Sequence, residues 1–378
     1  MKKIKLLFLF SFLCGGMSFL LFFSGEAIMA AREALMLCVN VIVPSLFPYF
    51  VLSYIINGTE LSCIFAEVIG PLMRPVFRVS GKCGIALFMG LLSGYPMGAK
   101  TAVNLYENRE ITRREAEIMM AFCNNAGPAF VMGSVGIGVF KSARVGVILF
   151  IAQVFSSVLI GVGFGRFWRG KDEYTQKSAK KKRRTPLSEV FISGVKDSFV
   201  NVFYICAFIV FFGVFIKMLE VFNVTGFGAR FAGIIVPFIN NGDIEHLISG
   251  VFEVSNGVFA FEGSTVTPGS IALTGAILGW AGVCVHCQVM LFLSKSGVNG
   301  KPYIIGKAIQ SILCAGFCYV LGCIFIGEVS VFNGGGYYEG YFISFFDSFV
   351  FSLAVVIILL FLTFLTVVVK KSFKYRKK

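Results

Sequence analysis

The amino-acid sequence predicts an all-α, polytopic membrane protein with about eight transmembrane helices plus two re-entrant or broken segments in an inverted repeat. Three observations point there: the composition, the placement of the basic residues, and one interrupted apolar segment that occurs twice. Hydrophobic residues make up 57% of the 378 and charged residues 14%, with a mean hydropathy of +0.83. A soluble domain is about half apolar and a quarter charged, so no soluble core would hide this much apolar surface.

The net charge of +14 is a signal of topology because of where it sits. Lys and Arg gather in Met1–Lys5, Arg109–Arg114, Arg166–Arg184 and Lys370–Lys378, and cytoplasmic loops are marked in this way. The run Lys180–Arg184 reads as a solvated loop near anionic lipid. The lipid bilayer is therefore an expected partner, and nucleic acid is not. The eleven cysteines are scattered through apolar stretches without a disulfide spacing. Cys284-Val-His-Cys287 lacks further ligands nearby, so no metal and no cofactor is expected.

The elements follow in order. Residues 1–26 form a first helix with its N-terminus inside, since apolar Leu6–Phe23 follows basic residues without a small-x-small cleavage site. Residues 27–57 run back as one long segment broken by Pro44 and Pro48. The stretch 58–82, with Pro71, Arg74, Pro75, Arg78 and Lys82, suits the cytoplasmic interface. Residues 83–105 are apolar but interrupted by Ser93-Gly94-Tyr95-Pro96-Met97-Gly98, and both flanks are cytoplasmic. Such a segment is re-entrant, and broken backbone at membrane depth needs protein or a watery cavity around it. Residues 115–140 then cross outward and 144–166 return. In the second half 188–220 crosses outward, 221–242 is an interfacial connector, 243–263 is again interrupted, and 268–294 comes back. Lys295, Lys301 and Lys307 mark the inside. Two last helices, 303–327 and 347–370, enclose an outer loop with Glu328, Glu339 and Asp347, which leaves both termini cytoplasmic. The chain thus divides into a first helix (1–26), a first repeat with its closing helix (27–166), a basic loop (167–187), a second repeat (188–294), and two helices with a basic tail (295–378).

The repeat shows in residues as well. Val39-Asn40-Val41 matches Val200-Asn201-Val202 at an offset of 161, and Gly90–Gly98 lies 160 residues before Gly250–Val258. The connectors differ in sign: residues 58–116 hold seven Lys or Arg, whereas 221–267 hold Arg230 against Asp243, Glu245, Glu253 and Glu262. The first broken segment then enters from the cytoplasm and the second from outside. An inverted repeat with a break in each half is the plan of many secondary transporters, with substrate near the midplane.

The runs Pro44-Ser-Leu-Phe-Pro48, Pro71-Leu-Met-Arg-Pro75, Gly90-Leu-Leu-Ser-Gly-Tyr-Pro-Met-Gly-Ala-Lys100 and Cys123-Asn-Asn-Ala-Gly-Pro128 resemble those of the YlbJ-type sporulation integral membrane proteins, over most of residues 35–325. That family is similar to the nucleoside-recognition (Gate) domain proteins. The resemblance implies a role in moving dipicolinic acid from the mother cell towards the developing spore. It does not make a nucleoside the substrate.

The candidate site can be argued from side chains alone. Ser93, Gly94, Tyr95, Pro96 and Gly98 free backbone N–H groups and a helix N-terminus, which attract an anion. Lys100 either adds its charge to that site or reaches to the interface beside Tyr106. Asn124, Asn125 and Gly127 place amides and a break mid-way along a crossing helix, for substrate contact or for interhelical hydrogen bonds. In the second half Glu253, Ser255, Asn256 and Gly257 occupy the break, and Gln288 sits in the returning helix. Glu253 either holds a coupling proton or cation or lies shallow and wet. His286 is a packing residue or a proton-linked one. Of the aromatic residues, Tyr95 and Trp280 stand beside breaks.

No phosphate-binding loop and no nucleophile-base or metal-ligand set is present, so the chain is not expected to be an enzyme. The expected function is transport of a small anionic metabolite, with other sporulation membrane proteins or a second copy as further partners. The competing reading is a non-transporting scaffold, or a carrier of nucleosides or another small metabolite.

Overall fold

The computed structural model describes residues 2–59, 61–170, 172–173, 186–235 and 239–326, and all their regular structure is helical. The helix α1 (Lys2–Phe22) meets α2 (Ser24–Leu37) at a bend of 97°. A π turn at Cys38–Ile42 leads from α2 into α3 (Val43–Gly58). Pro44 follows directly on the π turn and Pro48 lies further inside α3, so both withhold a backbone donor within one continuous helical stretch. In α4 (Leu61–Phe77) Met73 and Phe77 are buried while Arg74 is exposed, as an interfacial helix requires. The chain then turns by 110° into α5 (Gly84–Leu92).

After the first break come α6 (Met97–Glu107) and α7 (Arg113–Phe122). A reciprocal cap starts α7: the Thr112 hydroxyl accepts from Glu115 N, and Thr112 N donates to the Glu115 carboxylate at 2.8 Å. A second break, Cys123–Pro128, separates α7 from a π-helical stretch, Ala129–Val139, which precedes α8 (Ala143–Phe167). The second half runs through α9 (Leu187–Val221), α10 (Val224–Ile235), α11 (Asn241–Phe252), α12 (Val254–Phe259), α13 (Pro268–Trp280), α14 (Gly282–Ser296) and α15 (Lys301–Phe325).

Among the described residues four stretches are long and apolar enough to cross a membrane: α8, α9, Pro268–Ser294 and α15. The bent pairs raise the number to six. The chain is a polytopic membrane protein, and shorter apolar helices such as Leu46–Ile56 and Ala129–Val139 add to these stretches. Phe199, Phe203, Phe211 and Ile312 are exposed on the outside of α9 and α15, where lipid rather than water suits them. The expected helix 347–370, the outer loop with Glu328, Glu339 and Asp347, and the loop residues 174–185 lie outside the described residues.

Some elements of the two halves are alike in length. α2, the π turn and α3 together match α9 in length, and α8 and α15 each have 25 residues. α7 touches α15 and α13 touches α8; these contacts exchange when α7 is matched with α13 and α8 with α15, as in a twofold-related pair. One group of helices, α13, α15, α8 and Ala129–Val139, forms the most closely packed part of the molecule, and α2 and α3 lie along α9 as a second.

Candidate functional site

The breaks are built on glycine. Gly94 has φ +80°, a left-handed conformation that side chains disfavour, and its backbone lies against Gly127. Cys123 O is tucked between Gly90 and Gly98, so a Cβ at either would overlap it. Thus the break after α5 and the break after α7 pack backbone on backbone. The second half uses the same device. Glu253 is extended and caps α12, its carboxylate accepting from Asn256 N at 2.7 Å, while Ala281 and Gly282 are left-handed between α13 and α14. Gly282 lies on Val254 N, and Gly257 against Gly250, the counterpart of Gly98 against Gly90.

The breaks of both halves meet at a cavity of about 40 Å³. Of the residues singled out from the sequence, Gly94, Tyr95, Gly127, Glu253, Ser255 and Gln288 line it. Ile42 and Leu46 from the α2–α3 stretch, Phe130, and Ile205 and Ile209 from α9 supply apolar walls. Glu253 is 1% exposed, so its carboxylate is shielded from bulk water. Tyr95 spans to the other half, its hydroxyl donating to Leu278 O at 3.5 Å.

The other predicted residues stand apart from this cavity. Ser93 is hydrogen-bonded to Ser53. Pro96 precedes α6, and Gly98 lies under Cys123 O. Lys100 faces a separate cavity of about 280 Å³ between α3, α6 and α9, with its Nζ 5.9 Å from the centre of the Phe292 ring. Asn256 lines a third cavity, of about 510 Å³, with Glu33, Glu220 and Glu245. Gly257 is a packing glycine.

Asn124 and Asn125 lie behind the cavity in a buried polar cluster centred on Lys307. The sequence reading takes Lys307 as a mark of the cytoplasmic surface; the structure corrects this, since Lys307 is 1% exposed. Its Nζ donates to Asn124 O at 2.9 Å and Gln310 Oε1 at 2.8 Å, and it lies 5.8 Å from the centre of the Tyr95 ring. Among the described residues no carboxylate pairs with it. Gln310 Nε2 donates to Asn125 Oδ1 at 2.7 Å, and Asn125 Nδ2 to Phe122 O at 2.9 Å. Gln153 Nε2 closes the cluster on Ala126 O at 2.9 Å. The Asn124 amide is buried with neither atom hydrogen-bonded. His286 shares a hydrogen bond with Tyr303 at 2.9 Å through Nδ1, and its Nε2 is unpartnered. A buried ammonium without a counter-charge is costly in an apolar medium. The sequence signal for it is a Lys and a Gln three residues apart, on one face, inside an apolar 25-residue helix.

Residues 39–143 match the Gate family, described as nucleoside recognition. The chain is also 28% identical over 312 residues to the sporulation integral membrane protein YlbJ of Bacillus subtilis (strain 168), covering 77% of this chain and 76% of that protein. The chain is similar to Gate-type sporulation membrane proteins. The Gate match begins in the π turn after α2 and ends at the first residue of α8, so it contains both breaks of the first half. The similarity to YlbJ extends well beyond that Gate region. No solved structure matches the chain.

Proposed function

We propose that the protein moves a small anionic metabolite across a membrane during sporulation, with dipicolinate, carried from mother cell towards forespore, as its substrate. The observation that carries this reading is the convergence of chain breaks from both halves on one buried cavity. A scaffold has no need of costly interruptions inside a bilayer, whereas a carrier uses them to expose backbone groups to its cargo. The long helical stretches of the two halves run antiparallel: α2 and α9's last turns share one cavity, and α3 and α9's first turns share another. Antiparallel counterparts are what an inverted repeat produces; with α8 matched to α15 they favour halves at 27–166 and 188–325 over a second half that ends at 294.

The charges support an anion. Lys307, behind Tyr95, has no carboxylate partner among the described residues, and Lys100 lines the approach on the α3 side. A planar dianion brings two carboxylates to such cations. Glu253, buried in the cavity wall, takes the coupling proton or cation, so that the site does not hold two repelling charges. At about 40 Å³ the cavity has room for about one water, at roughly 30 Å³ each, whereas small-molecule sites measure about 300–1,000 Å³. On this reading the small cavity corresponds to a closed form of the path.

The test is uptake of dipicolinate into proteoliposomes carrying the purified full chain, beside a Lys100→Ala variant, with a nucleoside as the control solute. Uptake of dipicolinate alone, lowered in the variant, is the expected result. Uptake of the nucleoside alone would favour the function in the Gate family's description, and uptake of neither by folded protein would favour a scaffold.

A further inference from the structure

We infer that the substrate path runs along the groove between α9 and the α2–α3 stretch, entering at the Lys100 pocket as a site for small carboxylate anions, and that α3 is the element that shuts it. This rests on the transport reading. The three cavities follow one another along both helices. On α9, Glu189 and Ser193 face the Lys100 pocket, Ile205 and Ile209 the central cavity, and Gly213 and Lys217 the third. On the other wall the order is reversed: Tyr54, then Leu46 and Ile42, then Leu37 and Glu33. Separate cavities have no reason to share two antiparallel helices in register unless they are stations on one route.

The barriers between the stations differ. From Ile209 to Gly213 is roughly 6 Å along α9, about one turn, while from Ser193 to Ile205 is roughly 18 Å at 1.5 Å per residue. The structure is thus shut mainly on the Lys100 side. What fills that thick barrier is α3: Phe50 and Ser53 are each 1% exposed, and Ser53 is hydrogen-bonded to Ser93, at the first break. α3 packs extensively on α9 but sparsely on α5 and α6, so few contacts hold it over the break. Its root is a π turn followed by Pro44 and Pro48, beside the cavity-lining Ile42 and Leu46. Wide turns and prolines lack the regular hydrogen-bond ladder, which is where a helix bends. Bending there would part Ser53 from Ser93 and join the Lys100 pocket to the central cavity.

The experiment uses the full chain in proteoliposomes with dipicolinate. A Ser53→Cys, Ser93→Cys pair is oxidised and its uptake compared with the same preparation after reduction. Oxidation is expected to lower uptake at least about tenfold and reduction to restore it, because closure gates turnover. In the Ser53→Cys single variant, maleimide labelling of the peptide holding position 53, read by mass spectrometry, is expected to quicken when dipicolinate is added. Lys100→Gln is expected to raise the half-saturating concentration about fivefold with the maximal rate kept. Cross-linked protein that transports as fast as reduced protein overturns the gating role of α3; so does labelling indifferent to dipicolinate, which decides the matter if the reduced pair is inactive. Unchanged constants in Lys100→Gln overturn the entry site. Wild-type protein without dipicolinate uptake overturns the proposed dipicolinate transport on which this inference rests, a result separable from all of these.

Discussion

Lys307 shows how a residue's neighbours decide its meaning. Held by two neutral oxygens, it loses several kcal/mol of hydration that no counter-ion among the described residues returns. Replacing it with Met leaves two oxygens unpaired, at about 1–3 kcal/mol each, which is offset by removing the several kcal/mol that the buried charge costs. Lys307→Met is therefore expected to melt in detergent no lower than wild type while dipicolinate uptake falls at least about tenfold, roughly 1.4 kcal/mol or more; a lower melting temperature with normal uptake would make Lys307 structural. The glycines give the opposite signature. Gly98→Ala sets a Cβ against Cys123 O and is expected to lower stability by about 3 kcal/mol or more. Gly163→Ala in α8 has open space around it and is expected to change stability by less than about 1 kcal/mol, in the stabilising direction. Paired thermal-shift curves check both. The glycines were legible as a motif, but that Gly90 and Gly98 clasp one carbonyl was not, because that carbonyl belongs to a residue 25 positions further on than Gly98.

Among the elements, α12 is the most exposed to a single change. Six residues make a helix too short to persist unaided, and Glu253 caps it. Glu253→Gln keeps an oxygen for Asn256 N and removes the carboxylate, whereas Glu253→Ala removes both. The Gln variant is expected to keep wild-type thermal stability and lose the pH dependence of uptake, and the Ala variant to lose about 1 kcal/mol as well. A Gln variant whose uptake still follows pH would assign the coupling ion elsewhere. The helices themselves were readable from hydropathy, within a few residues in α8, α9 and α15, since long apolar stretches in lipid have one solution. The cap was not, because a lone Glu before Val-Ser-Asn reads equally as a ligand.

For the whole molecule, the correspondence of α2–α3 with α9 and of α8 with α15 predicts two halves of opposite orientation. Reporter fusions after residues 175 and 235 are expected on opposite sides of the membrane, with the first cytoplasmic. The same side for both would end the inverted arrangement.

By itself the sequence determined the membrane, the all-helical class and the interruptions at 93–98, 123–128 and 253–257. These follow from local rules: apolar length, basic loops, and glycine and proline where helices must stop. Tertiary structure alone decided which break residues share a cavity and which, such as Lys100 and Asn256, face other ones. It also turned Lys307 from a surface mark into a buried charge. Lining and burial depend on contacts between residues more than a hundred positions apart, such as Lys307 with Asn124 and Tyr95 with Leu278, and no local pattern encodes which distant backbone a side chain will meet.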